Sequence, residues 1–337
     1  WFMVDGETRL FLQSEYSTTI TNSHQLQLMA MDLNASYTLA NNIDMSAEFS
    51  NVSGMWATDT GTSAIRGFVP VGYGYGNSFT GSLNGKNHTI TGLTINRNTE
   101  SKVGLFGYNS GAVNNVGLLD VSVNGSVEVG GLVGRSDGSI SNSYATGYVT
   151  GGDYTGGLVG YAEGSISSSH ATVIVNGNGS VGGLVGGSDG YLSINDSYAS
   201  GNVSGTYSVG GLIGYFWHGE IVRSFAAGRV EGIDYVGGLI GENRGGDIQS
   251  SHATGNVFGR SDVGGLVGAN ISGTVSDSYA SGLVTSTHYR SGGLVGDNRD
   301  GGVITNSHAS GNVYGYYGVG GLVGANRNVL SGWSGLT

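Results

Sequence analysis

A tetrapeptide of the form Gly-Leu-apolar-Gly recurs nine times, with leucines at 105, 132, 158, 184, 212, 239, 266, 294 and 322, so most of the chain falls into units of 26 to 28 residues. Units this short cannot each enclose a core of their own. Each must bury its apolar side chains against the units before and after it, so the repeat predicts a solenoid.

Composition decides what kind. The 337 residues include 66 glycines and one proline, which rules out collagen, with its glycine at every third position and abundant proline. A disordered glycine-serine linker fails as well, because 38% of residues are hydrophobic and recur at fixed places in the unit. Glycine here marks turns and points where backbone approaches backbone. Only 11% of residues are charged and the net charge is −11, so no nucleic-acid partner is expected, since that needs a cationic face. No apolar run approaches the roughly 20 residues required to span a bilayer, so no membrane insertion is expected. With no cysteine, disulfides and thiolate metal sites are excluded.

The stretch from Val129 to Gly151 represents the unit: Val-Gly-Gly-Leu-Val-Gly, a polar turn, then Ser-Ile-Ser-Asn-Ser-Tyr-Ala-Thr-Gly-Tyr-Val-Thr-Gly. It reads as three short extended segments. The first holds the Leu-aliphatic pair. The second holds an aliphatic residue (Ile140, Ile166, Ile194, Ile221, Ile248, Val275, Ile304) four positions before an aromatic one (Tyr144, His170, Tyr198, Phe225, His252, Tyr279, His308). The third holds a valine five positions further on (Val149, Val175, Val203, Val230, Val257, Val284, Val313). Nothing in these units sustains the 3.6-residue period of a helix. The expected fold is all-β, a parallel β-helix of about 27 residues and three short strands per coil, with coils about 4.8 Å apart and nine of them spanning about 40 Å. Ankyrin, TPR and HEAT arrays need helix pairs, and a propeller blade needs about 40 residues.

The two ends read differently. Residues 1–100 are expected to form a cap or irregular first coils that cover the open end of the rod. They include a short helix over about 23–32, capped by Asn22 or Ser23, with Leu26, Met29, Ala30 and Leu33 on one face. Tyr37, Leu39 and Ile43 alternate as a strand does, and Asn84-Gly85 signals a tight turn between Phe79–Leu83 and the strand Thr89–Ile95. Residues 101–326 carry the regular repeats, and 327–337 read as a remnant of a chain that continues beyond residue 337. The start, Trp-Phe-Met-Val-Asp-Gly-Glu-Thr-Arg, lacks the features of a signal peptide.

The Gly-Leu-aliphatic-Gly units, each with Ser-aromatic-Ala-Ser/Thr-Gly, resemble the GLUG repeat. Residues 16 to 46, with Tyr37, Leu39, Ile43 and Asp44, resemble the segment that precedes such repeats in large bacterial exoproteins. So do residues 67 to 107, with Gly67-Phe68-Val69-Pro70-Val71-Gly72, Phe79-Thr80-Gly81 and Gly104-Leu105-Phe106-Gly107. Those exoproteins include filamentous-haemagglutinin-like adhesins exported by two-partner secretion. The resemblance implies a secreted, cell-surface-associated β-helical stalk. GLUG repeats also occur beside the catalytic domain of immunoglobulin A-cleaving metallopeptidases, but the His-Glu-x-x-His zinc motif is missing from this chain.

Few residues are left over for chemistry. Gly134-Arg-Ser136-Asp-Gly138 and Gly186-Gly-Ser188-Asp-Gly190 match G-x-S-x-G, yet that pattern works only on a strand-to-helix elbow, and no helix follows here. His170, His252 and His308 share one repeat position but lie two or more coils apart, so they read as members of an aromatic stack, not a metal ladder. Asp137, Glu163 and Asp189 each fall three residues after a closing glycine in consecutive units, and are either solvated carboxylates on a mobile turn or a Ca²⁺ site. Apart from that ion, no cofactor is implied. Tyr215-Phe216-Trp217-His218 is the densest aromatic cluster. With Tyr161, Glu163 and Asp189 nearby, it is either a sugar-stacking surface or a plug over a local gap. Asn-x-Ser/Thr sequons stand at Asn34, Asn51, Asn87, Asn124, Asn178, Asn195, Asn202 and Asn270.

Three functions stay open. One is a non-catalytic structural or adhesive stalk whose edges meet host or bacterial surface glycans or proteins. Another is a polysaccharide-binding or polysaccharide-degrading β-helix, for which the chain offers three acids beside Arg135. The last is the non-catalytic flank of a secreted metallopeptidase. The stalk explains the most features, because rod construction accounts for every regular one.

Overall fold

Each repeat closes one turn of an all-β parallel solenoid, about nine turns in all and roughly 27 residues apart, with one short helix near the N-terminus. The computed structural model describes residues 1–4, 8–50, 54–56, 66–73 and 76–328. In a representative unit the strands are Val127–Gly130, Val133–Ser136, Ser139–Ser141 and Tyr144–Thr150. That is four segments where the sequence reads as three. Gly131 and Leu132 form a bend, so the apolar stretch around the motif is divided between two sheets. Val127–Gly130 and Tyr144–Thr150 belong to one sheet, and Val133–Ser136 and Ser139–Ser141 to the other.

The repeating side chains stack in register. Ile140 pairs with Ile166 and Ile166 with Ile194, while Val149 pairs with Val175 and Val175 with Val203. The motif leucines from Leu105 to Leu294 are all fully buried. Burying each leucine at the bend contributes about 1.5–3 kcal/mol relative to leaving it exposed. At the last described coil, Leu322 is 41% exposed.

Two polar ladders are built into this core, one of serines from Ser143 to Ser307 and one of asparagines from Asn243 to Asn326. From Ser143 to Ser278 the serine before each aromatic residue is buried, and its hydroxyl donates to a carbonyl of its own coil: Ser169 to Ser167 at 2.8 Å, Ser251 to Gln249 at 2.8 Å. The same hydroxyl accepts the backbone N–H of the serine one coil earlier, as in Ser143 to Ser169 and Ser224 to Ser251. The second ladder is made of amides. Asn243 Nδ2 donates to Asn270 Oδ1 at 2.8 Å, Asn270 to Asn298 at 2.8 Å, and Asn298 to Asn326 at 3.2 Å. Each also donates to the carbonyl of a following glycine: Gly246, Gly273 or Gly302. Buried polar groups are tolerated only when paired, and here the repeat supplies the partner.

The aromatic row stacks as its spacing predicts. From Tyr144 through His170, Tyr198, Phe225, His252 and Tyr279 to His308, successive ring centroids lie 4.6–5.4 Å apart. Burial holds the pKa of both His170 and His252 below the ordinary histidine value. The fold thus favours their neutral forms. The stability this brings is fully present above the unfolded pKa of about 6.5 and is lost as pH falls through the lowered folded-state value. Melting temperatures across that window should fall with pH, and the His170→Phe/His252→Phe double variant should show a shallower decline. An unchanged slope would remove the histidines from the account.

The first coils are irregular but continuous with the rod. Thr19 pairs with Thr38, Ser36 with Ser82, and Ser82 with Ala112. The helix Ser23–Leu28 is capped by Asn22, whose side chain accepts from the Gln25 N–H, and a 3₁₀ turn, Met29–Met31, continues it. Leu26 and Met29 are buried, with Ala30 and Leu33 half-buried. Gln27, fully buried, accepts from Trp56 Nε1 at 2.8 Å and the Val69 N–H at 3.0 Å, and donates to the Val69 carbonyl at 2.9 Å. Asn84-Gly85 does not close a hairpin. The strand before it, Ser82–Asn84, and the one after it, Thr89–Thr91, lie in different sheets. The turn is a coil corner, and any side chain at Gly85 would overlap the Asn115 carbonyl of the next coil. Of the C-terminal stretch 327–337, only 327 and 328 are described; the rest, like the Asn51 sequon, lies outside the described residues.

Candidate functional site

Parallel register sets one outward column of side chains side by side: Tyr108, Arg135, Tyr161, Gly187, Tyr215, Glu242. The Arg135 guanidinium lies over the Tyr161 ring at 4.3 Å and bridges three carboxylates: Glu128 at 3.4 Å, Asp137 at 3.4 Å and Glu163 at 3.2 Å. Tyr161 donates to Glu163 at 2.5 Å and accepts the Asp189 N–H at 3.2 Å. Tyr108 donates to Asp137. Tyr154 closes the side of this cluster, edge-on to Tyr161 at 5.4 Å.

Those contacts account for the acidic array. Asp137 and Glu163 share Arg135, and Asp189 sits within the strand Val185–Asn195, not on a mobile turn. Among the described residues no three histidine or carboxylate side chains come together as a metal-ligand set, so the fold adds nothing to a Ca²⁺ site. Burial, with the neighbouring carboxylates, raises the pKa of Tyr161 and Tyr154. Both stay protonated donors.

One coil beyond Gly187 lies the aromatic cluster, within the strand Ile213–Val222 and not in a turn. Alternation along that strand splits it. Phe216 points inward, is fully buried, and occupies the space above Gly246, where an added Cβ would overlap its ring. The expectation that Phe216 faces a ligand therefore fails, and it plugs the rod where the asparagine ladder begins. Tyr161 is also buried, at 4% exposure, beneath Arg135. Tyr215, Trp217 and His218 remain at the surface. Tyr215 and Trp217 centroids are 6.3 Å apart, and Trp217 and His218 are 5.7 Å apart. Arg244 stands 5.9 Å from the Tyr215 ring and 6.0 Å from the Trp217 ring, held by Glu242 at 2.7 Å. Burial pushes the Tyr215 phenol up to about 12.

Sequence reading misses Arg244, Glu242 and Tyr191. Tyr191, 64% exposed, pairs in register with His218, a neighbour that only the coil alignment brings. It ends a shallow open groove of about 700 Å³ whose floor includes Gly111, Gly138, Gly164, Ser139, Ser165 and Ser193. The surface therefore offers aromatic faces, phenol hydroxyls, one guanidinium and serine hydroxyls, which is equipment for binding. The Asn270 sequon is closed to modification in the folded rod, because that side chain is fully buried in the amide ladder.

The GLUG motif matches residues 125–150, 234–257 and 287–314, so the chain carries GLUG-motif repeats. It is similar to halomucin of Haloquadratum walsbyi (strain DSM 16790 / HBSQ001), 39% identical over 119 residues, which is 35% of this chain and 1% of that protein. The match thus spans a very small part of halomucin's length. A crystal structure from Bacteroides ovatus, provisionally described as an immunoglobulin A1 protease, aligns with a TM-score of 0.51 at 20% identity, covering 92% of this chain and 85% of that one. That likeness shows the fold. Among the described residues no helix is long and apolar enough to cross a membrane.

Proposed function

We propose that this segment is a non-catalytic spacer rod of an exported, cell-surface-associated protein, and that Tyr215, Trp217 and His218 make weak contacts with surface glycans. One observation carries the reading: each recurring position is consumed by coil stacking, as leucine, aliphatic, serine or asparagine ladders. The GLUG repeats and the similarity to halomucin support a surface segment. Export by two-partner secretion, in the manner of filamentous-haemagglutinin-like adhesins, is part of the same proposal and rests on the resemblance of residues 16 to 46 and 67 to 107.

Aromatic rings at a half-exposed edge stack on sugar rings, and neighbouring donors fix the hydroxyls. A glycan panel read by tryptophan fluorescence tests this, with Trp217→Phe separating its signal from the other tryptophans. The expected result is a saturable change for a subset of glycans that disappears in Trp217→Phe, and no product release from acidic polysaccharides. A flat panel would sink the contact surface; released oligosaccharide would sink the non-catalytic reading.

A further inference from the structure

The groove that ends at Tyr191 runs along the axis of the rod. Its lining extends from Gly81 to Ser193, and the register from Ser82 through Ala112, Ser139 and Ser165 to Ser193 covers four coil steps, about 19 Å at about 4.8 Å a step. Coil stacking accounts for the glycines of its floor, since a Cβ at Gly138 or Gly164 would overlap the carbonyl of the coil before. They make the space; recognition has to come from the side chains along it. Asp137, Glu163, Tyr191 and His218 each stand two residues before a member of the register row Ser139, Ser165, Ser193 and Glu220. That column passes from two carboxylates to two rings. The Asp137 and Glu163 side chains are 34% and 36% exposed, and an ionised carboxylate, with about four lone-pair sites, can accept beyond the bonds these two already make. Tyr191 lines the groove and pairs in register with His218, whose ring lies 5.7 Å from Trp217. The groove therefore opens onto the aromatic face.

We propose that this groove holds a linear neutral glycan laid along the rod axis. Sugar hydroxyls meet the exposed hydroxyls of Ser139 and Ser165 and the carboxylates of Asp137 and Glu163, and one sugar ring lies against Tyr191. Serine partners repeat at every coil, so a ligand with evenly spaced hydroxyls gains contacts with each unit added until the groove is full. Charge decides against an acidic glycan: the described lining contains Asp137 and no Lys or Arg, and Glu163 and Glu220 stand beside it, so a uronate would meet like charge. The proposal rests on the glycan-contact reading of Trp217 and adds to it the charge, shape and direction of the ligand.

Calorimetric titration of the whole chain with cello-, xylo- and manno-oligosaccharides of increasing length, and with oligogalacturonate, tests it. At least one neutral series should bind, with affinity rising at least about tenfold from the disaccharide to the longer members and then levelling, and oligogalacturonate should bind at least about tenfold more weakly than those longer members. Tyr191→Ala, which removes the ring, and Ser165→Gln, which fills the middle of the groove, should each cost the long oligomer at least about tenfold with an unchanged melting temperature. Should one variant melt early the other decides, and should both, the length series in the unaltered chain decides. A disaccharide that binds as tightly as longer oligomers, tighter oligogalacturonate, or full affinity in the folded variants would overturn the groove, while a saturable Trp217 signal in the same titrations would leave the aromatic contacts standing. No binding by any neutral series overturns the groove too, and with a flat Trp217 signal it removes the underlying reading as well.

Discussion

Gly238→Ala should destabilise the rod by about 3 kcal/mol, while the same change at Gly321 should be nearly silent, although both glycines hold the same place before a motif leucine. At Gly238 an added methyl overlaps the carbonyl oxygen of Gly265 in the next coil and comes within 2.9 Å of Ala253 Cβ. The neighbouring coils cannot move away. Gly238 N–H donates to Gly264 at 3.2 Å and Leu239 N–H to Leu266 at 2.8 Å, which fixes the spacing on either side. At Gly321 no described residue lies within 4 Å of the added atom. Denaturant melts of the two variants check the difference, and hydrogen exchange should place the loss in the coils around 238 and 265, since each coil is held chiefly by its neighbours. Equal stabilities would mean that the motif glycine is not there for coil-to-coil approach.

The second large effect belongs to the amide ladder. Asn270→Ala should cost about 3 kcal/mol, because it strands the Gly273 carbonyl and the Asn298 Oδ1 atom in the interior and takes away the Oδ1 that Asn243 donates to. Asn326, last in the row and exposed, should cost less than about 1 kcal/mol on the same change, since water replaces what is lost. A loss within that smaller range at Asn270 would show the ladder to be incidental. The energy at stake is the penalty for buried groups left without partners more than the worth of any one bond.

Much of this architecture is legible in the one-dimensional pattern. Leu132, Ile166 and Val203 each belong to a series that recurs every 26 to 29 residues, and the interval alone places each series in its own column of the core. The aromatic row from Tyr144 to His308 stacks for the same reason, and Asn22 is recognisable as a helix cap from its residue type and the apolar spacing behind it. The asparagine ladder was available to the same reasoning: Asn243, Asn270, Asn298 and Asn326 each stand two residues after a closing glycine. An Asn in a glycine-rich turn reads as a surface residue, and only its burial reveals it as a core group.

Other features had no local signal. Strand alternation through Ile213–Val222 turned Phe216 inward and Trp217 outward, whereas an unstructured turn would have shown both. Asp137 and Glu163 read as a repelling pair until Arg135 is seen between them. Asn84-Gly85 carries the residue types of a hairpin turn, but the strands on its two sides found parallel partners in other coils and not each other.

By itself the sequence determined the period, the all-β solenoid and the identity of the residues that fill its interior, because a side chain repeated at every turn meets its own copies whatever the details of the path. Tertiary structure alone decided where the path bends between sheets, which polar side chains go inside, and which charges meet across coils. Those outcomes depend on sub-turn geometry and on contacts between residues some 26 to 30 positions apart, where a shift of one residue turns a side chain from the core to the solvent.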